Sequence, residues 1–255
     1  MATRIYNRNR SSRDCNFARG LALLAVATFA CVSVAGEGMK NYTRTYKVSP
    51  KGAALTISNV AGSIKVKAWD KPEIKVNIIL SENSLEVRER QTGNSVEIEV
   101  LCSKSTRNHN NQAHFDISAP QNCTLDLKCL TGSIQITSLI GRILAQTMEG
   151  EISLTDLQSP NITAKSIAGP IIYTGVLTAD GIYNFHSGEN TVDITLPASS
   201  TFTLMATTMN GNIDLGSFQL TDTTSQNKRV SGRYGNGGAS LNLSTHRGQI
   251  RLHKR

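Results

Sequence analysis

Aromatic side chains are scarce: one Trp, six Tyr and six Phe make up 5% of the 255 residues. That argues against a large aromatic-walled ligand pocket. Charged residues reach only 18% and Pro only six positions. So little charge, with no sustained heptads, excludes a coiled coil or a disordered tail protein. Beyond the first 36 residues no apolar run approaches the roughly 20 residues a spanning helix needs, so a multi-span membrane protein is excluded too. The five Cys match no zinc spacing. What remains is rich in Thr, Ser, Ile, Val and Leu, with 20 Gly. That composition favours strands and turns, and it predicts an all-β fold with no large helices beyond the leader.

Residues 1–19 hold five Arg against the single acid Asp14, and residues 20–36 are uncharged. A basic stretch followed by about 15 apolar residues reads as a secretory signal peptide. Ser33-Val34-Ala35 places cleavage after Ala35 and the mature N-terminus at Gly36. The rivals are an uncleaved anchor, for which the run is short, and lipidation at Cys31. Thr28-Phe29-Ala30 lacks the branched aliphatic residue a lipobox carries three positions before its Cys. Export to the periplasm, the outer surface or the medium follows, with no transmembrane segment after cleavage.

Without the leader the charge is uneven. Residues 36–109 net +4, residues 110–225 net −7, and residues 226–255 net +7 with no acid among them. The basic end comprises Lys228, Arg229, Arg233, Arg247, Arg251, Lys254 and Arg255. It is the candidate electrostatic contact surface, for an anionic envelope polymer or for self-association with the acidic part of a second copy. The plainer alternative is a solvated terminus.

Repetition organises the rest. A Gly, one variable residue and an Ile recur as Gly62-Ser63-Ile64, Gly132-Ser133-Ile134, Gly150-Glu151-Ile152, Gly169-Pro170-Ile171, Gly211-Asn212-Ile213 and Gly248-Gln249-Ile250. Gly188-Glu189-Asn190-Thr191-Val192 reads as a degenerate copy. Steps from Gly132 run 18, 19, 19 and 23 residues, and the last, to Gly248, is 37. After each Gly, apolar residues sit two apart, as in GSIQIT, GEISLT and GQIRLH, which is strand periodicity with one buried face. Weaker strands, RILAQT (142–147) and NITAKS (161–166), lie between. A unit of about 19 residues with two short strands cannot bury its own apolar face, but stacked copies can. The prediction is a β-solenoid or rolled sheet over 120–255, with an irregular β cap over 36–119, in one domain. An antiparallel sandwich is the alternative. Gly before each strand would permit a positive φ at the corner, and Ile134, Ile152, Ile171 and Ile213 should stack inside.

Cys102, Cys123 and Cys129 fall in phase with apolar neighbours and are expected in the core, with a bridge involving Cys102 as the minority reading.

In this order — a leader, LTISNVAGSIKVKAWDKPEIKV, serial GSIQI/GEISL/GNIDL units, then GNGGASLNLSTHRGQIRL — residues 42–252 resemble the bacterial "putative adhesin" family. The resemblance implies a β-solenoid-like fold, an exported or envelope-associated protein, and no catalytic residues. The expanded segment 216–240 departs from tidier members.

Chemistry is thin. Of His109, His114, His186, His246 and His253, only His109 and His114 are near enough in sequence to share a metal, and a solvated polar loop is the favoured reading of that pair. No GxSxG elbow occurs. The run Gly235-Asn236-Gly237-Gly238 is followed by neither Lys-Ser/Thr nor a helix, so it is a tight turn and no phosphate loop. Glu149, Glu151, Asp156, Asp180, Glu189, Asp193 and Asp214 are spread along successive repeats, as a solvated face would be. A polysaccharide-active enzyme would need two of them to converge. Export and an acidic body weigh against nucleic acid. No cofactor is expected. The reading is a non-enzymatic structural or binding module that works through flat polar strand faces. Its alternatives are an envelope sensor, a self-assembling scaffold with an apolar uncapped end, or a β-helix enzyme.

Overall fold

The computed structural model describes residues 40–81, 85–102 and 111–255. The expected signal peptide and cleavage site, Cys31 and His109 lie outside these residues, as does the side chain of Cys102. Among the described residues there is no helix. The chain is all-β: two large mixed sheets, of ten and eleven strands, with no closed barrel.

Seven strands come first: β1 (Lys40–Lys47), β2 (Ala54–Ala61), β3 (Ile64–Trp69), β4 (Glu73–Leu80), β5 (Leu85–Thr92), β6 (Ser95–Cys102) and β7 (Ala113–Pro120). The repeats follow as β8 (Thr124–Thr131), β9 (Ile134–Thr137), β10 (Ile143–Glu149), β11 (Ile152–Leu157), β12 (Asn161–Ser166), β13 (Ile171–Gly175), β14 (Ile182–Ser187) and β15 (Val192–Leu196). The chain ends with β16 (Phe202–Thr208), β17 (Ile213–Asp214), β18 (Thr221–Gln226), β19 (Arg229–Tyr234), β20 (Ala239–Thr245) and β21 (Ile250–Lys254).

From β8 to β15 the chain alternates between sheets. Even-numbered strands join the eleven-stranded sheet, odd-numbered ones the ten-stranded sheet, and each return lands one strand further along, in parallel. The GxI units therefore meet in register: Ile64 beside Ile134, then Ile152, Ile171 and Val192. All five are fully buried. Their β-branched shape suits a pleated, packed face, and the polar residues between them point outward. The ladder reaches back into the first part of the chain, because β3 and β2 pair in parallel with β9 and β8. The expected turn at Trp69-Asp70-Lys71-Pro72 joins β3 to β4. There the indole N–H donates to Glu73 O (2.8 Å) and the Lys71 ammonium lies over the ring.

The end of the chain departs from sequence order. β20 inserts between β14 and β16, and β21 between β15 and β17. Ile250 thus continues the ladder beside Val192, and Ile213 lies beyond it at the sheet edge, only partly buried. The segment 216–240 forms the antiparallel edge β18–β19. Its turn into β20 has positive φ at Gly235, Gly237 and Gly238.

The corners explain the glycines. Corner residues stack in the order Ala113, Gly62, Gly132, Gly150, Gly169, Asn190, Gly248, Gly211. A Cβ on Gly132 would lie 1.8 Å from Gly62 O, and one on Gly169 1.7 Å from Gly150 O. Gly132 also has φ +142°, whereas no positive φ occurs at Gly169. Close backbone approach, more than backbone freedom, is the general requirement. In the degenerate repeat the corner is Asn190, two residues past the Gly188 expected from spacing, because Val192 pairs with Ile171.

Three residues before each corner a buried donor reaches the preceding corner carbonyl. Thr147 donates to Gly132 O (3.2 Å), Ser166 to Gly150 O (3.2 Å) and Ser187 to Gly169 O (2.9 Å). Thr245 donates to Asn190 O (3.1 Å) and Thr208 to Gly248 O (3.3 Å). Asn59 does the same to Ala113 O (2.9 Å), and the Cys129 thiol to Gly62 O (3.5 Å). These bonds satisfy carbonyls that a tight, dry corner would otherwise strand. Cys123 and Cys129 are free and buried, as expected of core thiols. Burial pushes the Cys123 thiol up to about 12 and that of Cys129 to about 11, so both keep their protons.

Candidate functional site: a groove across the eleven-stranded sheet

Two residues before each corner the side chain points outward. In β2, β8 and β10, and just past β12, that residue is large and apolar: Val60, Leu130, Met148 and Ile167. They are 37%, 46%, 47% and 55% exposed. Register brings them side by side, since the pairs flanking them, Asn59–Cys129, Cys129–Thr147 and Thr147–Ser166, face one another. Four strands about 4.8 Å apart make a stripe about 14 Å long. The stripe ends at Gly188, the next position, which has no side chain.

Two residues further back on the same face runs a polar row: Ser58, Lys128, Gln146, Lys165, His186 and Ser244. The stripe and the row from Ser58 to His186 line a groove of about 510 Å³. Lys128 has a carboxylate neighbour, Asp126, at 3.5 Å. Lys165 pairs with no acid among the described residues. His186 Nδ1 is 2.8 Å from Ser244 Oγ. A second depression of about 390 Å³ opens beside the groove, lined by Thr163, Asn184, Asn242 and Ser244, and it shares Lys165 and His186 with the first. The Asn242 amide donates to Asn184 Oδ1 (3.0 Å).

The His186–Ser244 contact invites comparison with a nucleophile and its base, but two parts are missing there. Among the described residues no carboxylate lies on the imidazole to orient it. The backbone N–H groups of β12, β14 and β20 are spent on the parallel ladders, which leaves no donor pair for an oxyanion. His114 is likewise tied up in the fold, its Nδ1 accepting from the Ser63 N–H (3.2 Å) with Ser63 Oγ at 2.9 Å. Among the described residues no group of three His, Cys, Asp or Glu could hold a metal ion. The carboxylates singled out in the sequence do not converge. Glu189 pairs with Arg247, and Asp193 lies 3.2 Å from His253 Nε2. Asp193 and Asp214 flank Arg251 in register.

The seven basic residues of the C-terminal segment are dispersed over both sheets. Arg229 and Arg233 lie on the outer face of the eleven-stranded sheet, Arg233 paired with Asp222. The Lys228 ammonium donates to Gly211 O (3.0 Å) in the hairpin turn. Arg247 sits in a corner loop and Arg251 on the outer face of the other sheet. Lys254 lies 4.9 Å from the Phe218 ring centre and 5.0 Å from that of Tyr234. Arg255 ends the chain, its N–H donating to Leu196 O (3.0 Å). Lys228 and Arg229 stay adjacent, and the rest do not form one patch.

A charged side chain lies at each end of the stack. At the first, Glu89 of β5 accepts from the Tyr46 hydroxyl (2.6 Å) and from Arg44 Nε (3.1 Å), both on β1, across the gap between the sheets. At the other, Phe202, Phe218 and Tyr234 pack ring on ring under the Lys254 ammonium. The edge strand β18 there is exposed along its whole length and polar. Such edges discourage strand addition.

The apolar stripe was missed in reading the sequence. Its signal is the apolar residue two before the corner (Val60, Leu130, Met148, Ile167, Met209), out of phase with the core positions of its own strand.

No family model matches the sequence, and no curated protein does. The fold is similar to that of a "putative cell adhesion protein" from Clostridium sporogenes: TM-score 0.51 and 17% identity over 85% of this chain and 100% of that one. A "putative adhesin" from Bacteroides fragilis aligns over 84% of this chain and 97% of that one, at 14% identity and a TM-score of 0.41. The likeness to adhesin-type proteins expected from the order of strand motifs is thus found among solved structures, as a likeness of fold.

Proposed function

We propose that the chain is an exported, non-enzymatic, adhesin-like binding module of the bacterial cell envelope. In this reading residues 36–255 form one β-solenoid domain, freed of residues 1–35. The strand-by-strand alternation between sheets and the in-register corners support the solenoid. The observation that carries the binding role is the outer face of the eleven-stranded sheet. It holds a groove across five interior strands, β2, β8, β10, β12 and β14, whose backbone is engaged on both sides. Such a face recognises a ligand through side chains alone. A self-assembling scaffold needs an apolar uncapped end; here Glu89 caps one end with Tyr46 and Arg44, and the Lys254 ammonium covers the aromatic rings of the other. A polysaccharide-active enzyme needs converging carboxylates, and those of the repeats are spread along successive strands and corners, with Glu189 paired to Arg247.

Lys228 and Arg229, exposed at the tip of the β18–β19 hairpin, add an electrostatic contact to anionic envelope polymer. Retention on isolated envelope material tests this. Wild-type protein should be held at 0.1 M salt and released towards 1 M, as the screening length falls from about 10 Å to about 3 Å. The double variant Lys228→Ser/Arg229→Ser should be held less at low salt. Equal passage of both proteins at every salt concentration, with no retention, would remove the adhesin-like reading.

A further inference from the structure

The apolar groove and the polar depression meet at Lys165 and His186, and that meeting point is the informative feature. On one side lie Leu130, Met148 and Ile167, and on the other Asn184 and Asn242. Neither depression is lined by an acid. The complement of this surface is elongated and apolar at one end, anionic in the middle, and able to hydrogen-bond at the other. We propose that it binds a single acyl chain carrying a phosphate-linked polyol head group. This deepens the binding reading above and rests on it.

Three features select that occupant. The stripe is one side chain wide, bounded by the corner on one side and the polar row on the other, so it seats one chain. Lys165 has no carboxylate to neutralise it, and His186 Nε2 is left over once Nδ1 meets Ser244. Together they offer charge and hydrogen bonding to a phosphate at the end of the tail. The amide and hydroxyl groups of Asn184, Asn242 and Thr163 then face the hydroxyls of a polyol. An extended peptide is a poorer fit, since the face has no free backbone groups to pair with it. The groove's size falls within the range of about 300–1,000 Å³ usual for small-molecule sites.

The probe is monomeric lysophosphatidylglycerol, followed by calorimetry with the full exported chain. Saturable binding is expected. Lys165→Gln should weaken it about tenfold by loss of a charge-assisted bond, and Lys165→Arg should largely restore it. Met148→Asp should weaken it by at least about tenfold through charge and lost apolar contact. Ile172→Asp, on the outer face of the other sheet, should leave it unchanged. All three positions are exposed, so melting curves of the four variants should match wild type. No saturable binding would overturn the proposal. So would equally tight binding of neutral dodecyl maltoside that ignores Lys165→Gln, or binding only to phosphatidylglycerol vesicles. Met148→Asp protein that loses the lipid but stays on envelope material would uphold this inference and separate it from the adhesin-like reading. Wild-type protein held on that material without binding the lipid would sink the inference and spare the reading.

Discussion

A chain that stops after Gly238 is expected to lose cooperative folding altogether. Taken in sequence order, the missing 17 residues would be a disposable last repeat. In the structure β20 and β21 are interior strands of both sheets. Leu241, Leu243, Ile250 and Leu252 are all at most 1% exposed. Burying four such side chains contributes roughly 1.5–3 kcal/mol each. The sum, about 6–12 kcal/mol, matches the whole net stability of an ordinary domain. The cut would also unpair β14 from β20 and β15 from β21, and release β16, β18 and β19 as a detached sheet. Circular dichroism melts and soluble yield check this. A truncated protein that melts cooperatively within a few degrees of wild type would show that the last two strands do not sit between earlier ones.

Ile152→Asp should be nearly as damaging. Its side chain is fully buried between Ile134 and Ile171 on neighbouring strands. No cation is there to pair with a carboxylate, and an unpaired buried charge costs several kcal/mol. At about 2–4 °C per kcal/mol for a chain of this size, the midpoint should fall by about 10 °C or more. Burial would raise the new carboxyl's pKa above the ordinary value of about 3.9. The folded state then binds the proton more tightly, so the deficit relative to wild type should shrink as pH falls from the raised folded-state pKa towards about 3.9, and stay constant below that. Ser153→Asp, one residue on and facing outward between Gln135 and Ile172, should cost under about 0.5 kcal/mol. Equal losses in the two variants would mean the inward phase of β11 is wrong.

The inward phase was legible because alternation of Ile, Leu and Val with polar residues records which face is buried, and constant spacing records which residues meet. Ile134, Ile152 and Ile171 could be placed from those two facts alone. Strand order at the end of the chain could not. Periodicity carries no information about which neighbour a strand chooses, so β21 reads like any further repeat although it precedes β17 in the stack. Asn190 was hidden because a corner needs a tight backbone approach, and spacing pointed to the nearest Gly. The donors at Thr147 and Ser166 read as ordinary strand residues of RILAQT and NITAKS, and Ser187 lies outside both. Their regular place three before the corner has meaning only once the preceding carbonyl is seen. The groove was invisible for a related reason. Leu130, Met148 and Ile167 sit next to buried positions, and an outward apolar residue looks like noise until register lines up four of them. The basic residues are near in sequence, yet strand alternation puts Arg233 and Arg251 on different sheets.

Every row described on these sheets depends on strand order, and a pair of engineered disulfides measures that order directly. Asp193 and Arg251 are register partners on neighbouring strands, and Arg251 separates Asp193 from Asp214. Neighbouring strands lie about 4.8 Å apart and next-but-one strands about 9.6 Å. A disulfide forms readily when the Cα atoms are about 4.4–6.8 Å apart and not beyond about 7 Å. Under mild oxidation, Asp193→Cys with Arg251→Cys should cross-link in the folded protein, and Asp193→Cys with Asp214→Cys should not. Mass spectrometry of the digested protein reads both. The reverse result, a bridge from 193 to 214 and none from 193 to 251, would contradict the account.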